Sequence, residues 1–101
     1  MSIDTEVVID EKIKQETSEP SLYKVIFLND DQTPMEFVID LCKNIFKHSQ
    51  ETAEKITLTI HNEGSGIAGI YTYEIAEQKA VEATNASRDR GFPLRITLEK
   101  E

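Results

Sequence analysis

The chain has 101 residues, 39 % of them hydrophobic, and a formal net charge of −8. This length predicts one small domain with a modest core. The acidic surface argues against a nucleic-acid partner, because phosphate binding needs basic side chains, and it is compatible with a cationic ligand. No apolar run approaches the roughly 18 residues that span a membrane, and the amino terminus lacks the basic start of a signal peptide. We therefore expect a cytoplasmic protein without a membrane partner.

The first 20 residues differ in composition from the rest of the chain. They contain no aromatic side chain and hold six acidic and two basic residues. Low hydrophobicity combined with high net charge is typical of segments that cannot bury enough apolar surface to fold. We predict a flexible acidic tail over residues 1–20 and a folded core domain over residues 21–101.

The first strand and the first helix are predicted on either side of a short polar loop. Residues 22–28 are apolar apart from Lys24, as in a well-covered strand. Apolar residues at helical spacing then predict a helix over residues 34–48. Thr33 is a suitable N-cap for this helix, and Pro34 fits its first turn.

The loop between these two elements contains Asn29, Asp30 and Asp31. It is short and anchored on both sides, which suits a recognition site. Asp and Asn also favour turns for purely structural reasons. From the residues alone, the functional and the structural interpretation carry equal weight.

The next segment is ambiguous. Ser49 is a suitable N-cap for a second helix. Residues 56–60 alternate between apolar side chains and threonine and are rich in β-branched residues, as a strand is. Yet Ala53, Ile56 and Ile60 also share one helical face. Propensity alone does not decide between strand and helix here.

The last third of the chain predicts a strand, a long helix and a final strand. Residues 67–72 read as a strand after a glycine-containing turn. Thr72 is a suitable N-cap for the helix, which Gly91 and Pro93 end. The residues after Pro93 alternate between apolar and polar, as in a half-exposed strand.

Two further patterns carry little functional weight. Residues 64–69 match the letters of the G-x-G-x-x-G dinucleotide fingerprint, but a strand follows where the fingerprint needs a helix, so we interpret them as a turn. Cys42, His48 and His61 have no metal-ligand spacing, and Cys42 falls among apolar helix positions. We expect no metal, no cofactor and no catalytic residue.

Three segments resemble one known family. Residues 23–37, which contain Asn-Asp-Asp-x-Thr-Pro-Met-Glu-Phe, are similar to ClpS, as are residues 60–61 and 69–79. ClpS is a bacterial adaptor that delivers proteins with destabilising amino-terminal residues to a Clp protease. The resemblance covers residues 21–101 and selects a helix for residues 56–62. It implies an α+β fold, in which three helices pack on a three-stranded antiparallel sheet in the order strand-helix-helix-strand-helix-strand.

The resemblance also implies a non-enzymatic function and a set of site residues. The protein would recognise free amino-terminal Leu, Phe, Tyr or Trp in substrate peptides and proteins (N-degrons). The residues implied to bind the α-ammonium group are Asn29, Asp30, Asp31 and His61. The residues implied to line the pocket for the first side chain are Thr33, Met35, Val38, Thr57 and Ile60. An α-ammonium group offers three donors and a positive charge, which amide, carboxylate and imidazole acceptors match.

A protein partner is implied as well. Glu74 and Lys79 match family positions that contact the amino-terminal domain of a ClpA-type Clp ATPase, and we expect the adaptor to be a monomer. Thr57 stands where the family commonly has Met or another larger apolar residue. An alternative interpretation is an assembly module, since the element order also resembles the carboxy-terminal domain of the ribosomal stalk protein.

Overall fold

A computed structural model describes residues 20–101. Its strands are β1 (Leu22–Leu28), β2 (Ser65–Thr72) and β3 (Arg95–Lys100), and its helices are α1 (Met35–Asn44), α2 (Gln50–Glu63) and α3 (Tyr73–Asp89). The chain order is β1-α1-α2-β2-α3-β3, and the antiparallel sheet has the order β2-β1-β3. The predicted α+β architecture is therefore confirmed. The predicted tail lies outside the described residues, apart from Pro20.

The core forms around the central strand of the sheet. Val25 and Phe27 alternate along β1 and are 0 % exposed, as expected for a strand with one face against helices. The small side chains of Ala76, Ala83 and Ser87 are also fully buried in α3. The Ser87 hydroxyl donates to the carbonyl oxygen of Ala83 at 2.8 Å, which satisfies the only buried polar group of this small-residue face. These small residues let α3 pack closely on the sheet.

The start of α1 differs from the prediction. The N-cap position is Pro34, which makes no side-chain capping bond, and the helix begins at Met35. Thr33 was expected to cap the helix, but its hydroxyl donates to Asp30 Oδ2 at 2.8 Å. Pro34 keeps an extended backbone, with φ of −66° and ψ of 144°, so the helix starts one residue later than a Thr33 cap requires.

The connection between α1 and α2 also differs in part. α1 ends at Asn44 rather than at residue 48, and Lys47 has a left-handed backbone with φ of 61°. The helical pattern of apolar residues runs on to Phe46, so periodicity alone places the end too late. Ser49 caps α2 as predicted, since its Oγ accepts from the backbone N–H of Thr52 at 3.2 Å.

The ambiguous residues 56–60 are helical, as the resemblance implied. α2 ends at Gly64, whose φ of 93° is the left-handed conformation that glycine adopts without strain. A Cβ at Gly66 would lie 2.7 Å from Cγ1 of Ile60. Glycine at this position therefore lets β2 approach α2 closely, which places Ile60 next to the sheet.

Candidate functional site

A small cleft lies where the carboxyl end of β1, the first turn of α1 and the last turns of α2 meet. Its volume is about 10 Å³. Its lining residues are Leu28, Asn29, Asp30, Thr33, Val38, Ile60 and Leu94. Five of the nine predicted binding residues therefore lie together in one cleft.

The inner part of the cleft is apolar and buried. Val38 comes from α1, Ile60 from α2, and Leu94 from the segment before β3. These side chains are 5 %, 3 % and 1 % exposed, respectively. The mouth is polar, because the loop after β1 supplies an amide, a carboxylate and a hydroxyl. An apolar interior with a few polar groups at the mouth is the usual composition of a ligand site.

Asp30 organises the loop at the mouth. Its Oδ1 accepts from the backbone N–H groups of Gln32 and Thr33, both at 2.7 Å, and its Oδ2 accepts from the Thr33 hydroxyl. An ionised carboxylate has about four acceptor sites, so three are used within the loop. One acceptor site, on Oδ2, is not used within the loop.

The loop holds Asp30 in its ionised form. Partial burial raises the pKa of this carboxyl, but hydrogen bonds from Thr33 and Gln32 and the positive charge of Arg88 lower it by more, so its pKa lies below 3.8. The loop is also tied to the end of α2, because the backbone N–H of Asn29 donates to the Gly64 carbonyl at 2.9 Å. The mouth is thus anionic and fixed at both ends.

Four predicted site residues do not line the cleft. Asp31 and His61 are exposed, and the Met35 side chain is 40 % exposed at the start of α1. Thr57 is 2 % exposed, and its hydroxyl donates to the Ala53 carbonyl one turn earlier in α2. The Thr57 hydroxyl is therefore used within its own helix.

The cleft is too small for a side chain of the predicted ligand. A volume of about 10 Å³ corresponds to roughly one water molecule. Binding of Leu or an aromatic side chain therefore requires the walls to separate.

Sequence reasoning missed Leu28 and Leu94 as cleft residues. Both carried a signal, since each is the apolar residue at one end of a predicted strand. Leu28 precedes the Asn29–Asp31 loop directly, and Leu94 follows Pro93. The one-dimensional pattern could not show that these two strand ends meet.

The two predicted partner residues on α3 lie in different depressions. Glu74 shares one of about 450 Å³ with Pro20, Tyr23 and Tyr73. Lys79 lines another, of about 610 Å³, between α3 and the end of α1. A separation of five residues rotates a side chain by about 140° around a helix, which explains why the two do not share one surface.

Lys79 also has contacts within the fold. Its Nζ donates to the carbonyl oxygen of Ile45, the C-cap of α1, at 2.9 Å. The same ammonium lies 5.4 Å from the centre of the Tyr71 ring, within cation–π range. Lys79 therefore joins α3 to the end of α1, whatever else it contacts.

Cys42 belongs to the core and does not line the cleft. Cys42 is fully buried, and burial raises the pKa of its thiol to about 12, so it is a poor nucleophile. Over residues 20–101, His, Cys, Asp and Glu side chains form no group of three or more that could hold a metal ion. In the same range, the helices are too short or too polar to cross a membrane.

The chain is similar in sequence to a family of Clp protease adaptors. Residues 18–97 match the family model for the ATP-dependent Clp protease adaptor protein ClpS. The chain is 48 % identical over 90 residues to the ATP-dependent Clp protease adapter protein ClpS of Maricaulis maris, covering 89 % of this chain and 83 % of that protein. Identity to the ClpS of Sodalis glossinidius is 44 % over 98 residues, or 97 % of this chain and 92 % of that one.

A solved structure shows the same fold. Agrobacterium tumefaciens ClpS2, bound to L-phenylalaninamide, superimposes with a TM-score of 0.79 at 44 % sequence identity, covering 82 % of this chain and all of that one. The chain described here belongs to the ClpS family of Clp protease adaptors. Family membership favours the adaptor interpretation over the stalk-like assembly module.

Proposed function

We propose that this protein binds substrate proteins through a free amino-terminal Leu, Phe, Tyr or Trp and delivers them to a Clp unfoldase. The observation that carries the proposal is the cleft itself, in which an ionised, loop-anchored Asp30 stands at the mouth of an apolar interior. A ligand for such a site needs a cationic end next to an apolar side chain. An unblocked amino-terminal residue with a large apolar side chain has both.

The related A. tumefaciens structure supports this choice of ligand, because the L-phenylalaninamide bound there has an α-amino group and an aromatic side chain. In the proposed complex, the ammonium group donates to Oδ2 of Asp30 and to the Asn29 side chain. Two exposed residues supply the remaining acceptors for the ammonium group. They are Asp31, which follows Asp30 in the loop, and His61, on the last turn of α2. The first side chain separates Val38 from Ile60 and Leu94. No bond is made or broken, so we propose a non-enzymatic role.

Peptides with an internal Leu or Phe are refused for a physical reason. A backbone amide has one donor and no charge, whereas the ammonium group has three donors and one charge. Binding an internal residue would leave the acceptors at the mouth unpaired, and each buried unpaired group costs about 1–3 kcal/mol. The mouth therefore distinguishes a chain start from the interior of a chain.

The test compares a free Phe-first peptide with its amino-acetylated form by fluorescence polarisation. Acetylation removes the charge and two donors, so we expect it to weaken binding by at least about 2 kcal/mol. A Gly-first peptide of the same sequence controls for contacts outside the first residue. Equal affinities for the free and acetylated peptides would rule out the proposed recognition.

The proposed partner is the amino-terminal domain of a ClpA-type Clp ATPase, and the proposed setting is a monomer in the cytoplasm. Glu74 is the better supported of the two contact residues, because it is exposed, whereas Lys79 donates to the backbone of α1. Titration of the isolated ATPase domain with Glu74→Ala and with an exposed control on α2, Glu54→Ala, tests this assignment.

A further inference from the structure

Arg88 holds the segment that supplies one wall of the cleft. Its Nη1 donates to the backbone carbonyls of Phe92 and Leu94, both at 2.9 Å. Leu94 lines the cleft and is 1 % exposed. Residues 90–94 connect α3 to β3 and include Gly91 with φ of 79°. One side chain therefore bridges the far end of this connection to the end of α3.

Arg88 also acts on the polar mouth of the cleft. Its positive charge contributes to the lowered pKa of Asp30, together with the stronger hydrogen bonds from Thr33 and Gln32 that outweigh burial. The guanidinium group thus lies within electrostatic range of the mouth, while its hydrogen bonds hold the apolar wall.

We propose that Arg88 is a positioning residue for ligand recognition, which fixes Leu94 against the ligand's first side chain without touching the ligand. This inference rests on the proposed recognition of amino-terminal residues. Arg88 affects ligand affinity in two opposite ways. Its charge opposes a cationic ligand, so electrostatics alone would make its removal tighten binding. Without Arg88, Leu94 is no longer held in place, so the contact between Leu94 and the ligand's first side chain weakens.

The test uses Arg88→Met, which keeps the apolar stem but removes the donors and the charge. Competition against a labelled Phe-first peptide gives the Kd of peptides that differ only in a Phe or Ala first residue. We expect the preference for Phe over Ala to fall about tenfold, because apolar pocket contacts are worth roughly 10–200-fold. General destabilisation lowers the competent fraction and scales both Kd values equally, so the ratio isolates positioning.

Arg90→Met is the matched control. It removes the same charge two residues further along, where the guanidinium carbon lies 5.5 Å and 5.6 Å from the ring centres of Phe37 and Phe92. We expect its Phe-to-Ala ratio to stay within about twofold of the unmodified protein, as for a surface cation–π contact. If Arg88→Met does not fold, Arg88→Gln, which is too short to reach both carbonyls, takes its place.

Arg88→Lys provides a rescue, because an ammonium group has three donors for the two carbonyls. We expect it to recover most of the Phe-to-Ala ratio. An unchanged Phe-to-Ala ratio in Arg88→Met would overturn the positioning role while leaving the proposed function intact. Failure of the unmodified protein to distinguish free from acetylated Phe would instead overturn the proposed function.

Discussion

Asp30 shows how one side chain can shape a loop and still take part in recognition. Two backbone N–H groups and one hydroxyl occupy three of its acceptor sites. Because these bonds are strongest to the ionised form, they stabilise both the turn and the negative charge. The charge at the cleft mouth is therefore a consequence of the local fold, and the turn and recognition interpretations of this loop are compatible.

The lowered pKa of Asp30 predicts a pH dependence of stability. Its folded-state pKa lies below the reference value of 3.8, so Asp30 stabilises the fold fully above 3.8 and loses this contribution as pH falls through the lower, folded value. In Asp30→Asn the contribution is absent at every pH. We expect the difference in unfolding free energy between the two proteins to shrink as pH falls below about 4, measured by urea denaturation.

The control for this prediction is Asp31→Asn, at the neighbouring exposed carboxylate that takes no part in the Asp30 turn. The unfolding free energies of the variants are compared at the same pH, so contributions from titrating groups that all variants share cancel. A constant difference between Asp30→Asn and the unmodified protein from pH 6 to about 2.5 would show that the turn does not favour the ionised carboxylate.

At the scale of secondary structure, the elements were more predictable than their ends. The strand over residues 22–28 and the Ser49 cap follow from local chemistry and are confirmed. The expectation that Thr33 caps α1 is wrong, because the extended backbone of Pro34 makes the helix begin one residue later than the local sequence pattern predicts. The end of α1 was placed too late because apolar spacing continues into the irregular connection before Ser49.

Only the part of the cleft that is formed by residues close in sequence could be predicted. Asn29, Asp30 and Thr33 are close in sequence, so a local motif could locate the polar mouth. Leu94 reaches the cleft because the antiparallel sheet places the start of β3 beside the end of β1, where Arg95 pairs with Leu28. Such contacts depend on register between distant strands, which a local pattern does not contain.

We propose that position 57, on α2, affects selectivity for the first side chain of the ligand. Thr57 is 2 % exposed, and the cleft beside α2 holds only about 10 Å³, so the larger side chain of Thr57→Met must displace core or cleft atoms. Overpacking costs about 1–3 kcal/mol. We expect a lower thermal midpoint and a larger loss of affinity for Trp- and Phe-first peptides than for Leu-first peptides, because bulky side chains need the most space.

Thr57→Val is the matched control for this prediction. It keeps the shape of the side chain and removes the hydroxyl, which donates to the Ala53 carbonyl rather than to the cleft. We expect it to leave the ranking of Phe, Tyr and Leu unchanged. Equal losses for all four first residues in Thr57→Met, measured by parallel titrations, would mean that position 57 affects stability alone.

In the whole molecule, the cleft and the Glu74 surface lie at opposite ends of β1. Leu28, at its carboxyl end, lines the cleft. At its amino end, Leu22 pairs with Thr72, and Pro20 shares a depression with Tyr73 and Glu74. Seven strand residues span roughly 20 Å. A ligand in the cleft therefore leaves the Glu74 surface accessible, as an adaptor that binds substrate and partner together requires.

This arrangement predicts what removal of residues 1–19 changes. The core extends from Val25 to Leu94, and the cleft is lined by residues from 28 to 94. We therefore expect a protein that begins at Pro20 to keep its thermal midpoint and its affinity for a Phe-first peptide. The removed segment joins the domain beside Glu74, so we expect slower degradation of a Phe-first substrate by a Clp unfoldase and its protease.

The control is an acidic, apolar-free replacement of equal length. Weakened peptide binding after truncation would instead place residues 1–19 in the recognition site, at the opposite end of β1.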